Sequence, residues 1–149
     1  CIEHLSVEQR QSLHLLYGPL MGKSSICLYE FLGSIQNSVE LEDVYLLLNI
    51  NASQFDKARN YLEQYHLIET YVHEDDMLIL LYAPLLPDKF LCHDTYSRLY
   101  LASVGSKCFD KIKAMFILAE CIKSKNHKRR EIRAYFCDEC HAWHLTSKK

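Results

Sequence analysis

The chain is predicted to be mainly α with a small β component, arranged as two modules, on three observations. Apolar residues recur at helical spacing through most of the first two-thirds, two β-rich runs flank one polar turn near the middle, and a C-x-x-C pair followed by histidine stands near the end. With 149 residues, 49% hydrophobic and 24% charged, and only four glycines and three prolines, the composition is that of a folded globular protein and excludes a disordered or fibrous one.

Ser6 with Gln9 three positions later has the pattern of a capping box, in which each side chain satisfies the other's backbone N–H, so a helix is expected to begin there. Leu13, Leu16 and Tyr17 continue its apolar stripe to Gly18-Pro19, where proline's missing N–H and fixed φ predict a stop. A second helix is expected over about 24–36 and a third over about 41–48. Asn49-Ile50-Asn51-Ala52 breaks the periodicity, and Ser53 followed by Asp56 predicts a new start for a helix to about Gln64. Two short helices joined by a few residues resemble a helix-turn-helix. Leu67 to His73 and Met77 to Ala83, separated by Glu74-Asp75-Asp76, then read as a hairpin. Helices followed by such a ribbon make a winged-helix arrangement, with the hairpin as the wing.

Pro84 and Pro87 are expected to end the second strand, since neither donates to a ladder. Asp94 predicts the cap of a helix through Val104, with Gly105 as its stop. An amphipathic helix over about 108–123 uses Ile112, Met115, Phe116, Ala119 and Ile122 as its apolar side. A polar loop over 124–131 and a strand over about 132–136 lead into the cysteine pair. Charge breaks sharply along this line. Residues 1–106 carry six Lys/Arg against fourteen Asp/Glu, a net of −8, and residues 107–149 carry eleven against five, a net of +6. The expected organisation is therefore a winged-helix-like domain over 1–106 and a basic zinc-binding module over 107–149.

The cysteines support the second half of that reading. Seven is an odd number, and Cys27 and Cys92 sit in apolar contexts expected of buried hydrophobes. Cys137, Cys140 and His144, with Cys108 at the start of the preceding helix, give C-x28-C-x2-C-x3-H, a spacing suited to a tetrahedral Zn2+. Cys121 competes with Cys108 and His141 with His144. A redox pair is disfavoured because it belongs at a helix N-terminus, whereas this pair follows a strand and encloses Asp138 and Glu139. Four protein ligands leave no open position for water or substrate, so the zinc is expected to be structural. A basic module of 43 residues has little apolar surface to bury, and a structural zinc offsets that deficit.

No run approaches the roughly 18 to 20 apolar residues of a membrane-spanning helix, and no signal-peptide pattern stands at the start, so the cytoplasm is the expected compartment. The sequence presents no convincing pair of catalytic carboxylates, activated nucleophile or phosphate loop, so a non-catalytic protein is expected. Gly18 to Ser24 has a surface likeness to a phosphate loop but too few glycines and no preceding strand. His14, His66, His73 and His93 are scattered. Lys125, Lys128, Arg129 and Arg130 are candidate phosphate contacts, with Tyr135 and Phe136 as stacking residues, against the alternative of a solvated loop tip. The helix over 53–64 carries Asp56, Lys57, Arg59 and Glu63, a net of zero, which favours protein contact or core over a DNA groove.

Two resemblances add to this. Tyr17-Gly18-Pro19-Leu20-Met21-Gly22, Leu28-Tyr29, Ala58-Arg59-Asn60-Tyr61-Leu62-Glu63, Leu67-Ile68-Glu69-Thr70-Tyr71, Tyr82-Ala83-Pro84-Leu85 and Val104-Gly105 resemble the N-terminal winged-helix domain of the DnaB/DnaD-type replication initiation proteins of Gram-positive bacteria, the helicase co-loaders, over about residues 5–116. That resemblance implies a domain for self-association and partner contact during primosome assembly, with replication-initiation or helicase-loading proteins as partners. Lys107-Cys108-Phe109 together with Arg133 to Ser147 resemble, over residues 107–149, a family of very small bacterial and phage zinc-binding proteins ending in C-x-x-C-x-x-W-H-L-T-S. The expected function is a replication-initiation accessory domain acting by protein–protein contact and self-association. The alternative is a zinc-dependent nucleic-acid-binding regulator of bacterial or phage origin.

Overall fold

The computed structural model describes residues 4–123, 133–139 and 142–146. The chain forms two compact units, Cys1–Leu85 and Leu86–Lys149.

The first unit opens on the expected capping box. Ser6 Oγ accepts from the Gln9 N–H at 3.1 Å, and Gln9 Oε1 accepts from the Ser6 N–H at 2.9 Å. Helix α1 (Val7–Gln11) continues through a π-helical segment, Ser12–Tyr17, into α2 (Gly18–Met21). The stop expected at Gly18-Pro19 is thus corrected, because the helix runs through the proline. In the π segment the Gly18 N–H bonds to the Leu13 carbonyl, five residues back. A turn widened in this way accommodates a ring that clashes with the preceding turn of a regular α-helix. The break comes at Gly22, whose φ of 86° suits a residue without Cβ.

Helix α3 (Lys23–Ser34) follows, then α4 (Leu41–Leu48), which ends on Asn49 in the left-handed conformation. There the Ile50 N–H donates to the Tyr45 carbonyl at 3.0 Å, closing the last turn. Helix α5 (Ala52–Gln64) is capped by Asn51 and not by Ser53 as expected. Asn51 Oδ1 accepts from the Gln54 N–H at 2.8 Å, and Gln54 Oε1 accepts from the Asn51 N–H at 2.9 Å. Asn51 has the extended backbone that a cap requires, whereas Ser53 is already helical. Strands β1 (Ile68–His73) and β2 (Asp76–Leu81) pair antiparallel, Ile68 opposite Leu81 and His73 opposite Asp76, so the turn is Glu74-Asp75 alone. Helices followed by this ribbon form the expected winged-helix arrangement.

Leu13, Leu16, Tyr17, Leu28, Phe55 and Leu62 are all but fully buried and fill the space where α3 and α5 meet the first helix. Two phenols tie the chain beyond β2 to these helices. Tyr29 Oη donates to the Tyr82 carbonyl at 2.7 Å, and the Leu85 N–H donates to Tyr17 Oη at 3.0 Å.

The second unit begins with α6 (Pro87–Cys92), an element the prolines had hidden. Pro87 does not merely end a strand; it occupies the first helical turn, where the missing N–H has no helical partner to lose. Helix α7 (Asp94–Val104) is capped by His93, whose Nδ1 accepts from the Tyr96 N–H at 3.2 Å, and the expected cap Asp94 is its first residue. Gly105, with φ of 81°, ends it as expected. Helix α8 (Ser106–Lys123) precedes β3 (Arg133–Cys137) and β4 (Ala142–Thr146), an antiparallel pair. Phe90 centres this unit, with the rings of Tyr96 and Tyr100 at 5.5 and 6.0 Å, and Tyr100 in turn lies 6.1 Å from Phe109 of α8. Cys27 and Cys92, expected to be buried, are exposed on α3 and α6.

Candidate functional site

Alternation along β1 and β2 divides the wing into two faces. Ile68 and Thr70 with Ile79 and Leu81 form one, through which the ribbon packs on α3 and α5. Glu69, Tyr71, Leu78 and Leu80 form the other, and Tyr82 continues it. This outer face is open: Tyr71 is 54% exposed, Leu78 59%, Leu80 40% and Tyr82 42%. Tyr71 Oη donates to Glu69 Oε2 at 2.8 Å. Hydrogen bonding to that carboxylate raises the phenol pKa of Tyr71 and of Tyr82 above the ordinary value. Residues 67–83 contain four Asp/Glu and no Lys or Arg.

The helix-turn-helix pair has the same character. Val44 is the one buried residue of α4, and Leu46 and Leu47 project into solvent. On α5, Arg59 Nη1 lies 3.0 Å from Glu63 Oε1 and Nη2 3.7 Å from Asp56 Oδ1. The guanidinium is thus held along its own helix by carboxylates, in a geometry that competes with any phosphate. Sequence reasoning missed the outer face of the wing, although a signal was there. Met77 to Leu81 are five consecutive apolar residues, and a two-stranded ribbon resting on helices buries only one of its faces.

Of the expected metal ligands, Cys137 falls on β3, His144 on β4 and Cys108 on α8. Tyr135 stands opposite His144 and Phe136 opposite Trp143. The two-residue period therefore puts Cys137, Tyr135 and His144 on one hairpin face, with the Tyr135 and His144 rings 5.8 Å apart. Phe136 and Trp143 lie on the other, in an edge-to-face contact at 5.8 Å, and Lys111 Nζ of α8 sits 5.4 Å above the Trp143 ring. Cys108 is in the first turn of α8, with a side chain outside the described residues. Cys140, His141, Lys125, Lys128, Arg129 and Arg130, and the side chain of Cys121, also lie outside the described residues. Among the described residues no group of three His, Cys, Asp or Glu is placed to hold a metal ion.

The scattered histidines stay scattered. His14 Nε2 meets Glu30 Oε1 at 2.8 Å on the surface, His66 takes a left-handed turn position, His73 ends β1 and His93 caps α7. A shallow cleft of about 290 Å3 lies between Arg10, Tyr29, Glu30, Ser34 and Leu81 in the first unit. The segment resembling a phosphate loop is the end of one helix and the start of the next. Among the described residues no helix is long and apolar enough to cross a membrane.

The comparisons with known proteins agree with this architecture. A family model described as the DnaB N-terminal winged helix domain matches residues 2–138, running past the stretch whose residues carried the resemblance and through β3. The crystal structure of primosome protein DnaB, residues 1–300, from Geobacillus stearothermophilus is similar, with a TM-score of 0.67 and 28% identity over 72% of this chain. The chain spans 45% of the length of that structure. No curated protein matches in sequence.

Proposed function

The chain belongs to the family of DnaB N-terminal winged helix domains, and from that premise we propose that it is a non-catalytic accessory module of DNA replication initiation, working by protein–protein contact and self-association during helicase loading. The observation that carries this reading is the pairing of exposed apolar side chains with acidic charge on α4 and on the wing, beside an α5 whose arginine is already engaged by carboxylates. Phosphate contact needs available cations, whereas contiguous exposed apolar surface marks a protein-binding face. Replication proteins of bacteria act on the chromosome, so the cytoplasm is the compartment this reading implies. Size-exclusion chromatography with light scattering, across a range of concentrations and in mixtures with a replicative helicase and with a helicase co-loader, is the test. A mass above the monomer or a mixed complex is expected. A strict monomer alone and in every mixture overturns the reading.

A structural Zn2+ held by Cys108, Cys137, Cys140 and His144 is proposed as the cofactor, supported by the shared hairpin face of Cys137 and His144. The second reading, nucleic-acid binding by the basic C-terminal segment, draws on Tyr135, 42% exposed beside His144, as a surface on which a base can stack. It predicts salt-dependent binding of single-stranded or duplex DNA that is lost when Lys128, Arg129 and Arg130 become alanine. Binding indifferent to salt and to those substitutions removes it.

A further inference from the structure

We propose that the outer face of the β1–β2 wing is the docking site for a segment of another protein that carries lysine or arginine beside apolar side chains. The proposal rests on the protein-contact reading and gives the partner its chemistry. Tyr71 is directly opposite Leu78 and Glu69 is opposite Leu80, so the patch is continuous across both strands, and Tyr82 extends it. Four large side chains, each at least 40% exposed, gather there on one small ribbon. In the middle sits the Glu69 carboxylate, which accepts from Tyr71 Oη at 2.8 Å. A carboxylate keeps acceptor capacity even after bonding to both phenols, Tyr71 and Tyr82, since its two oxygens offer about four lone-pair positions. Enclosed by apolar neighbours once a partner covers the face, it attracts a cation more strongly than it does in open water.

Charge complementarity selects the occupant. Glu74, Asp75 and Asp76 at the wing tip add to Glu69, and no Lys or Arg lies between 67 and 83 to offset them. A nucleic-acid backbone meets like charge on this face. So does a second wing, since two copies set face to face bring their Glu69 carboxylates and acidic tips together. A segment with basic and apolar side chains satisfies both halves of the patch.

The test uses the intact chain and a fluorescein-labelled twelve-residue peptide of alternating lysine and leucine, followed by anisotropy. Saturable binding is expected, weakened about tenfold by L78S with L80S, as for loss of a central contact. The conservative E69Q is expected to weaken binding by roughly fivefold, the loss of one charge-assisted contact. E42Q, an equal change of charge on α4, should leave it within about twofold, as expected of a charge outside the contact. Equal weakening by the wing and α4 variants overturns the proposal. So does a fall in the light-scattering mass of L78S/L80S, which assigns the face to a second copy, or DNA binding by the native chain that this variant loses. A chain that associates with helicase or co-loader yet ignores the peptide overturns the inference and leaves the protein-contact reading standing.

Discussion

Two buried serines in the first unit are in opposite situations. Ser25 Oγ donates to the Met21 carbonyl at 3.3 Å, whereas Ser12 Oγ, equally shielded from water, has no hydrogen-bond partner among the described residues. A buried hydroxyl without a partner costs about 1–3 kcal/mol, and a made bond contributes about 1 kcal/mol. Ser12→Ala is therefore expected to leave stability unchanged or raise it by about 1 kcal/mol, and Ser25→Ala to lower it by about as much. Urea unfolding with an unchanged slope gives both values, and a destabilised Ser12→Ala refutes the argument. Tyr29 supplies a pH dependence at the same scale. Burial pushes its phenol well above the ordinary 10.0, so the unfolded chain loses that proton first. Above pH about 10 the unfolded state binds fewer protons than the folded one, and the stability contributed by Tyr29 falls as pH rises. Tyr29→Phe should be less stable by about 1 kcal/mol at neutral pH for loss of the bond to Tyr82. It should also lose stability less steeply in alkali, read from unfolding curves at several pH values. None of this is visible in sequence, where Ser12, Ser25 and Tyr29 are ordinary members of helical stripes.

At the scale of elements, the sequence is legible wherever a local signal decides the outcome. Ser6 and Gln9 start the first helix as read, Leu41 to Leu48 is a helix with the expected bounds, and Gly105 stops α7. It misleads where two local signals compete and backbone geometry chooses between them. Asn51/Gln54 and Ser53/Asp56 both have a capping pattern, and only the first residue with extended φ and ψ can serve. The consequence is measurable. Asn51→Ala should cost about 1 kcal/mol, the usual penalty for a lost cap, while Ser53→Ala, on the exposed first turn, should stay within about 0.5 kcal/mol. Thermal unfolding of the two variants ranks them, and a larger loss for Ser53→Ala places the cap where the sequence had put it. Pro19 and Pro87 teach the same lesson. Each reads as a terminator, yet a π turn admits one and a first helical turn the other.

For the whole molecule, charge and packing divide the chain at different places. The charge break falls between 106 and 107, but compactness divides the chain after Leu85, because Phe90, Tyr96 and Tyr100 cluster with Phe109 of α8. Charge records what the surface meets, whereas the ring cluster records what shares a core, and a sequence displays the first far more openly than the second. The packing alters what a zinc ion is expected to do. A 43-residue module would depend on the metal to fold, but the unit Leu86–Lys149 already has aromatic contacts among α6, α7 and α8. Zinc at Cys108, Cys137, Cys140 and His144 should therefore fix the hairpin against α8 without being needed for the helices. Trp143 is the sole tryptophan and contacts both the Phe136 ring and Lys111 of α8, so its emission reports on the hairpin and its packing on that helix. Native mass spectrometry is expected to find one zinc per chain, retained in Cys121→Ser and His141→Ala and lost in Cys108→Ser and Cys137→Ser. Chelation should shift Trp143 emission while most of the far-ultraviolet helical signal persists, because the helices of both units keep their own buried contacts. A chain that carries no zinc, with tryptophan emission indifferent to chelator, would leave Cys137 and His144 as neighbours on a strand pair and nothing more.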